Sequence, residues 1–164
     1  MKIYTYPDSI LRTEAKPVDD IDEDTQRLID NMAETMYAAP GIGLAATQVG
    51  EPKQLIIYDI TPREDGQNLS VLINPEIILS EGEFVYEEAC LSVIDFSAEV
   101  TRSAKVKVRG VDRHGNPVDI EAENLQAICL QHEIDHLNGV LFIDHISSLK
   151  RSLYKKKLKK ELKK

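Results

Sequence analysis

Two of the four histidines in this chain, His132 and His136, stand four residues apart with Glu133 between them, a spacing that has chemical meaning only on a helix. One turn of helix sets both imidazoles on the same face. From adjacent turns two ring nitrogens converge on a single ion, while the intervening carboxylate reaches a water there without becoming a ligand itself. The helix should cover residues 123–138 and stop at Gly139, with Leu125, Ile128, Cys129, His132 and His136 on one face. A helix that merely carries two surface histidines among several acids is the plainer alternative.

A catalytic zinc or iron site takes three protein ligands and leaves a position open. In the metzincin pattern H-E-x-x-H-x-x-G-x-x-H the third is a further histidine. Gly139 matches the glycine of that pattern, but residue 142 is Phe, which closes the route. His145 qualifies by type, yet residues 140–143 read as a strand that carries it away. Cys129 shares the helix face but lies about 10.5 Å from His136 along the axis, at 1.5 Å per residue, and is better read as apolar wall. Cys90 remains, between a strand and apparently irregular chain. A thiolate with two imidazoles would suit Fe(II), Zn(II), Ni(II) or Co(II). By itself Cys90 reads equally well as buried filler.

The length suits one domain with a real core, so residues 1–164 are read as a single unit. With no Trp and 5% aromatic residues there is no stacking platform for bases, which argues against an aromatic nucleic-acid surface. The first eight residues lack a signal-peptide core and no apolar run approaches a membrane span, so a cytoplasmic protein without membrane contact is expected. In that reducing compartment a ligand or catalytic role for at least one of Cys90 and Cys129 is preferred to a disulfide. The net charge of −8 is polarised: residues 150–164 hold nine basic residues and one acid, a net +8, leaving −16 on the other 149. An acidic body repels nucleic acid in general, whereas a basic tail docks on phosphate selectively. A solvated helix end is the alternative for that tail.

Elsewhere, a first helix from residues 22–24 to about residue 39 carries Leu28, Met32 and Met36 in one buried stripe before Pro40 and Gly41 break it. Residues 41–50 are rich in small side chains but lack the glycine and lysine pattern of a phosphate loop. Read alone they are a tight packing turn. Strands are expected at residues 54–60, 70–73, 76–80, 82–86, 104–109 and 118–122, with a hairpin turn at 112–116 that leaves His114 solvated. A third helix begins near Ser147, with Leu149, Leu153, Leu158 and Leu162 as its apolar stripe and its last two turns frayed.

Three segments together resemble the peptide deformylase family. Gly41-Ile42-Gly43-Leu44-Ala45-Ala46-Thr47-Gln48 is similar to its first motif, Glu88-Ala89-Cys90-Leu91-Ser92 to its second, and Gln131-His132-Glu133-Ile134-Asp135-His136 to its third. The likeness runs over nearly the whole chain, in order and in spacing. It implies an α+β fold, with antiparallel β-sheets wrapped around a central metal-binding helix and with an N-terminal and a C-terminal helix. It also implies an enzyme that removes formate from the N-formylmethionine of nascent polypeptides. Carried across, Cys90, His132 and His136 would hold one divalent metal ion, natively Fe(II) and replaceable by Zn, Ni or Co. Glu133 would be general base and then general acid, and the Gln48 amide and Leu91 backbone N–H would face the developing oxyanion. Ile42, Gly43, Tyr86, Ala89, Leu125, Ile128 and Cys129 would line the methionine pocket, with the Gly41 to Gly43 backbone pairing with the extended peptide. Arg102 and Asp135 match an ion pair of the family, and Glu88 would orient the Cys90 segment or a ligating histidine.

The chain departs from the family pattern at Ala89 (usually Gly), Ile94 (often Pro), Ser97 (often Arg) and Tyr86 (usually a smaller aliphatic residue). The Ala89 methyl would narrow the entrance or restrict a backbone angle open only to glycine. Two readings compete with the deformylase: a zinc endopeptidase sharing the helix motif, and a ribosome-associated protein that has lost efficient catalysis. The resemblance further implies nascent chains as partners, docking of the basic C-terminal segment 148–164 on ribosomal RNA, and a monomer.

Overall fold

Helix α1 (Glu23–Ala38) precedes seven strands: β1 (Gly43–Ala45), β2 (Leu55–Tyr58), β3 (Ser70–Glu81), β4 (Phe84–Cys90), β5 (Val93–Arg102), β6 (Lys105–Val111) and β7 (Pro117–Glu123). Helices α2 (Asn124–Leu137) and α3 (Ser148–Leu162) follow. The computed structural model describes every residue from Met1 to Lys164. All ladders are antiparallel, in a five-stranded sheet of order β1-β2-β3-β6-β7 and a separate β4–β5 pair. The α+β architecture expected from the sequence is the one observed.

Strand β2 shows how the layers form. Successive side chains of a strand point to opposite faces, yet all four residues of β2 are buried. Leu55 and Ile57 belong to the apolar cluster of Ile29, Met32 and Met36 from α1. Ile56 and Tyr58 belong to that of Ala127, Leu130 and Ile134 from α2. The sheet therefore lies between two helices, and the unbroken Leu-Ile-Ile-Tyr run is the pattern of a strand covered on both sides. Each fully buried Leu, Ile or Met in these layers contributes about 1.5–3 kcal/mol. Helix α1 is started by Asp22, whose carboxylate accepts the Thr25 N–H at 2.9 Å, with Glu23 and Asp24 in the positively polarised first turn.

Helix α2 is buried on almost every side, including the polar Gln131, Glu133 and His136, so it shows no narrow apolar stripe. Gly139 ends it at φ +71°, where a β-carbon would sit 2.7 Å from the Arg12 carbonyl oxygen. Arg12 closes the junction by donating to the Gly139 carbonyl at 3.0 Å and, as a fork, to Asp144 at 2.6 and 3.1 Å. The C-terminal end of the central helix is thus tied to the N-terminal segment.

Several local expectations change. Residues 70–80 form one strand rather than two, because Asn74, at φ +52°, bonds Val18 N–H and C=O at 2.8 and 2.9 Å while the register with β6 shifts there. The chain after Cys90 is not irregular but strand β5, whose alternation is broken by Asp95 at φ +54°. Residues 41–50 hold strand β1 and a 3-10 turn, Ala46–Val49, where a packing turn alone was expected. Residues 140–143 do not form a strand: Phe142–His145 is a 3-10 turn with Phe142 and Ile143 buried. Helix α3 is continuous to Leu162, and Leu149, Leu153 and Leu162 are exposed. Its anchor is instead Tyr154, 3% exposed and 4.6 Å from Phe96 between ring centroids, with Leu158 packed beside it.

Candidate metal centre

Strand β4 ends at Cys90, and α2 carries both histidines of the pair. The fold brings Cys90 Sγ to 3.3 Å from His136 Nε2, which is itself 3.3 Å from His132 Nε2. All three donor atoms lie within 4.8 Å of one another. One sulfur and two imidazole nitrogens form a donor set that fits a borderline-soft divalent ion. The orientation of His132 agrees, because its Nδ1 meets Glu88 Oε1 at 2.8 Å and leaves Nε2 facing the other two donors. Burial, reinforced by His132 alongside, holds His136 well below the usual imidazole range, so its ring is neutral. Burial pulls His132 down too, but its hydrogen bonds to Cys90 and Glu88 outweigh that and raise it well above the usual range.

Behind the donors runs a buried ionic chain. Arg102, on the last residue of β5, donates to Glu88 at 2.6 and 3.0 Å and to Asp135 at 2.8 Å. Side chains of Arg102 and Glu88 are only 5% and 3% exposed. Glu88 thus orients His132 rather than the Cys90 segment. His145 stands outside the donor trio and meets Asp135 Oδ2 at 2.9 Å, because the 3-10 turn folds it back along α2.

Glu133 is buried on the cleft side of α2, with Oε1 3.9 Å from His136 Nε2. Burial raises its carboxyl to about 7 against the opposing pull of His132 and Arg102. Gln48 lies in the 3-10 turn after β1, with Oε1 accepting the Ala45 N–H at 2.9 Å and Nε2 donating to Ser92 Oγ at 3.0 Å. That same Nε2 is 3.6 Å from Cys90 Sγ. Leu91 occupies the turn after Cys90, close enough to Gly41 that a β-carbon there would be 2.8 Å from Leu91 Cδ1. Ser92, fully buried, was not singled out from the sequence. Its one signal was its place at the end of the second motif.

These groups open into one cleft. Gln48, Cys90, Leu91, His132 and Glu133 line its floor, and Ile42, Gly43, Tyr86, Ala89, Leu125, Ile128 and Cys129 its walls. Burial keeps Cys129 a thiol, outside the donor trio. Ala89 is exposed and lies in ordinary extended backbone, so its methyl narrows the rim without the strain anticipated for a glycine-only angle. Arg63 also lines the cleft, from the loop after β2, where no sequence pattern marked it.

The family model described as polypeptide deformylase matches residues 1–152. The peptide deformylase of Thermodesulfovibrio yellowstonii is 55% identical over 159 residues, covering 97% of this chain and 96% of the relative. That of Mesorhizobium japonicum is 55% identical over 155 residues, covering 94% and 88%. The crystal structure of the Legionella pneumophila peptide deformylase superposes with a TM-score of 0.92 at 48% identity, over 99% of this chain and 95% of that one. The Ehrlichia chaffeensis enzyme in complex with actinonin gives 0.92 at 36%, over 98% and 96%. Agreement along almost the full length, in sequence and in fold, leaves one assignment: this chain belongs to the polypeptide deformylase family.

Proposed function

We propose that this chain, acting throughout its length as one catalytic unit, hydrolyses the formyl group from N-formylmethionine at the start of nascent polypeptides and releases formate. The observation that carries the reading is the buried Glu133 beside the convergent Cys90, His132 and His136, at the floor of a cleft with an apolar wall. When bound, a divalent ion supplies Lewis acidity and lowers the pKa of a water towards neutrality. Glu133 takes a proton from the attacking water and later delivers it to the departing amine. A carboxyl pushed up to about 7 suits both directions at neutral pH. Gln48 Nε2 and the Leu91 N–H face the oxygen on which charge develops. Because Gln48 Oε1 is tied to Ala45 N–H, its amide needs no reorganisation as the charge forms. The methionine side chain enters the wall of Ile42, Tyr86, Leu125, Ile128 and Cys129, and the Gly41 to Gly43 backbone pairs with the peptide as an added strand.

Fe(II) is the native ion in this reading, with Zn, Ni and Co accommodated by the same mixed sulfur and nitrogen donors. The cytoplasm as location rests on the nascent-chain substrate and on two free cysteines. No helix is long and apolar enough to cross a membrane. Docking of α3 on ribosomal RNA rests on the +8 carried by residues 150–164. In this reading the enzyme works as a monomer. The relatives speak for the deformylase and for neither the endopeptidase nor the inactive binding protein.

The test is formate release from formyl-Met-Ala-Ser by protein purified anaerobically, with metal analysis of the same sample. One formate and one free Met-Ala-Ser amine per turnover are expected. Cleavage of internal bonds in unformylated peptides, or no formate from metal-loaded protein, sinks the reading.

A further inference from the structure

Apart from His132, the cleft is lined by four charged side chains: Arg63, Glu87, Glu88 and Glu133. Two of these are spoken for. Glu88 is buried and paired with Arg102 and His132. Glu133 is buried at the floor. Arg63 and Glu87 remain, both exposed, as the charges a peptide meets at the rim. Glu87 comes from β4, where Ser97 Oγ donates to its carboxylate at 3.0 Å. Arg63 comes from the 3-10 turn Arg63–Asp65 and donates from Nη1 to the Tyr37 carbonyl at 3.3 Å. It forms no ion pair within the chain.

The position of Arg63 is fixed relative to the cleft by Asp59. The Asp59 N–H donates to the Ile42 carbonyl at 2.8 Å, joining the loop's start to the glycine segment. Its buried carboxylate accepts the Tyr37 hydroxyl at 2.6 Å, the Thr61 N–H at 2.9 Å and the Asn68 N–H at 2.7 Å. Both ends of the loop are thereby clamped. An unpaired guanidinium held there offers a fork for a carboxylate, in a protein whose body carries −16 and repels acidic peptides in general. Resting on the deformylase reading, we propose that Arg63 is a specificity-determining residue. It recruits formylmethionyl peptides that carry an acidic side chain within the two residues after the methionine.

The test compares kcat/KM for formyl-Met-Ala-Asp and formyl-Met-Ala-Asn, and for formyl-Met-Asp-Ala and formyl-Met-Asn-Ala, all as C-terminal amides. The proteins are the wild type, Arg63→Gln, Arg63→Glu and, as a control for overall charge, Arg109→Gln. Arg109 is exposed on β6 beside Asp119, outside the cleft. In Arg63→Gln the Asp/Asn ratio should fall about 2- to 5-fold for at least one peptide pair, mainly through KM, as expected of an exposed ion pair. Arg63→Glu should lower it further, and salt of about 0.5 M should erase the differences. An unchanged ratio in both Arg63 variants, or an equal fall in Arg109→Gln, overturns the proposal. The same ratio read as peptide Kd tests Arg63 even without formate release, so failure of the deformylase reading is distinguishable.

Discussion

The backbone of Gly43 lies directly against the carboxylate of Glu133: a β-carbon at residue 43 would be 2.5 Å from Oε2 and 2.9 Å from Cδ. The second glycine of the first motif thus leaves room for the carboxylate of the third. In Gly43→Ala the carboxylate must move aside, and a misplacement of about 1 Å costs on the order of 100-fold in rate. We expect kcat to fall by about that factor, approaching the loss in Glu133→Gln, while metal content stays at the wild-type level. Parallel formate assays and metal analysis check this, and undiminished turnover in Gly43→Ala would show that Glu133 works from elsewhere.

Cys90 and Cys129 both line the cleft, but only Cys90 Sγ lies within reach of His136 Nε2, at 3.3 Å. Cys90→Ser should therefore lower bound metal to well under one equivalent after dialysis. Cys129→Ser should keep the ion, since its sulfur packs in the apolar cluster of β2 and α2. Metal analysis of both variants separates the two sulfurs, and the opposite pattern would reassign the third ligand.

Arg102 and Glu88 are an almost fully buried pair, so removing one partner leaves the other charge without compensation. Arg102→Leu is expected to cost about 3–5 kcal/mol. At about 2–4 °C per kcal/mol for a chain of this size, that is a fall of roughly 6–20 °C in Tm. Asp135→Asn should cost far less, because Asp135 is a quarter exposed and Arg102 keeps Glu88. Thermal unfolding followed by circular dichroism ranks the two, and equal losses would contradict the burial argument.

For ribosome docking the place of truncation matters. Removing α3 from its first turn also removes Tyr154, which packs on Phe96 within the cluster that holds Phe142. Ending the chain after Leu158 keeps that anchor and deletes Lys159, Lys160, Lys163 and Lys164. Salt-sensitive sedimentation with ribosomes should weaken severalfold in this variant, while formate release from free peptides is unchanged. Undiminished sedimentation would remove the tail from the docking surface.

What could be read from the sequence followed the physics of each segment. His132, Glu133 and His136 are fixed to one another by helical periodicity, so their mutual placement was legible from spacing alone. Their relation to Cys90 and Gln48 depends on strands β4 and β1 reaching α2, and only the resemblance among motifs supplied it. Strand β5 carries no clean period because Asp95 breaks its alternation, and the 3-10 turn at Phe142–His145 carries none because its apolar run is short. Arg63 was invisible for a different reason: its place depends on how Asp59 folds a polar loop, which no local pattern encodes.

Asp59 also gives the protein a defined response to pH. Burial alone would raise its carboxyl, but the Tyr37 hydroxyl and the Asn68 and Thr61 amides outweigh burial and hold it at about 2 rather than 3.8. A carboxylate whose pKa is lower folded than unfolded binds fewer protons in the native state. Its contribution is therefore complete above pH 4 and is lost as pH falls through about 2. Tyr37 mirrors this: burial, then Asp59, pushes it up to about 12, so its contribution is complete below pH 10 and is lost as pH rises from there through about 12. In Asp59→Asn we expect about 1–2 kcal/mol less stability at pH 7, somewhat below the full value of the shift because the loop is close to water. Urea unfolding of wild type and variant at pH 7, 4, 3 and 2 should give a gap that is constant down to pH 4 and closes towards pH 2. A gap that persists at pH 2 would mean that the loop is held by the shape of residue 59 rather than by its charge.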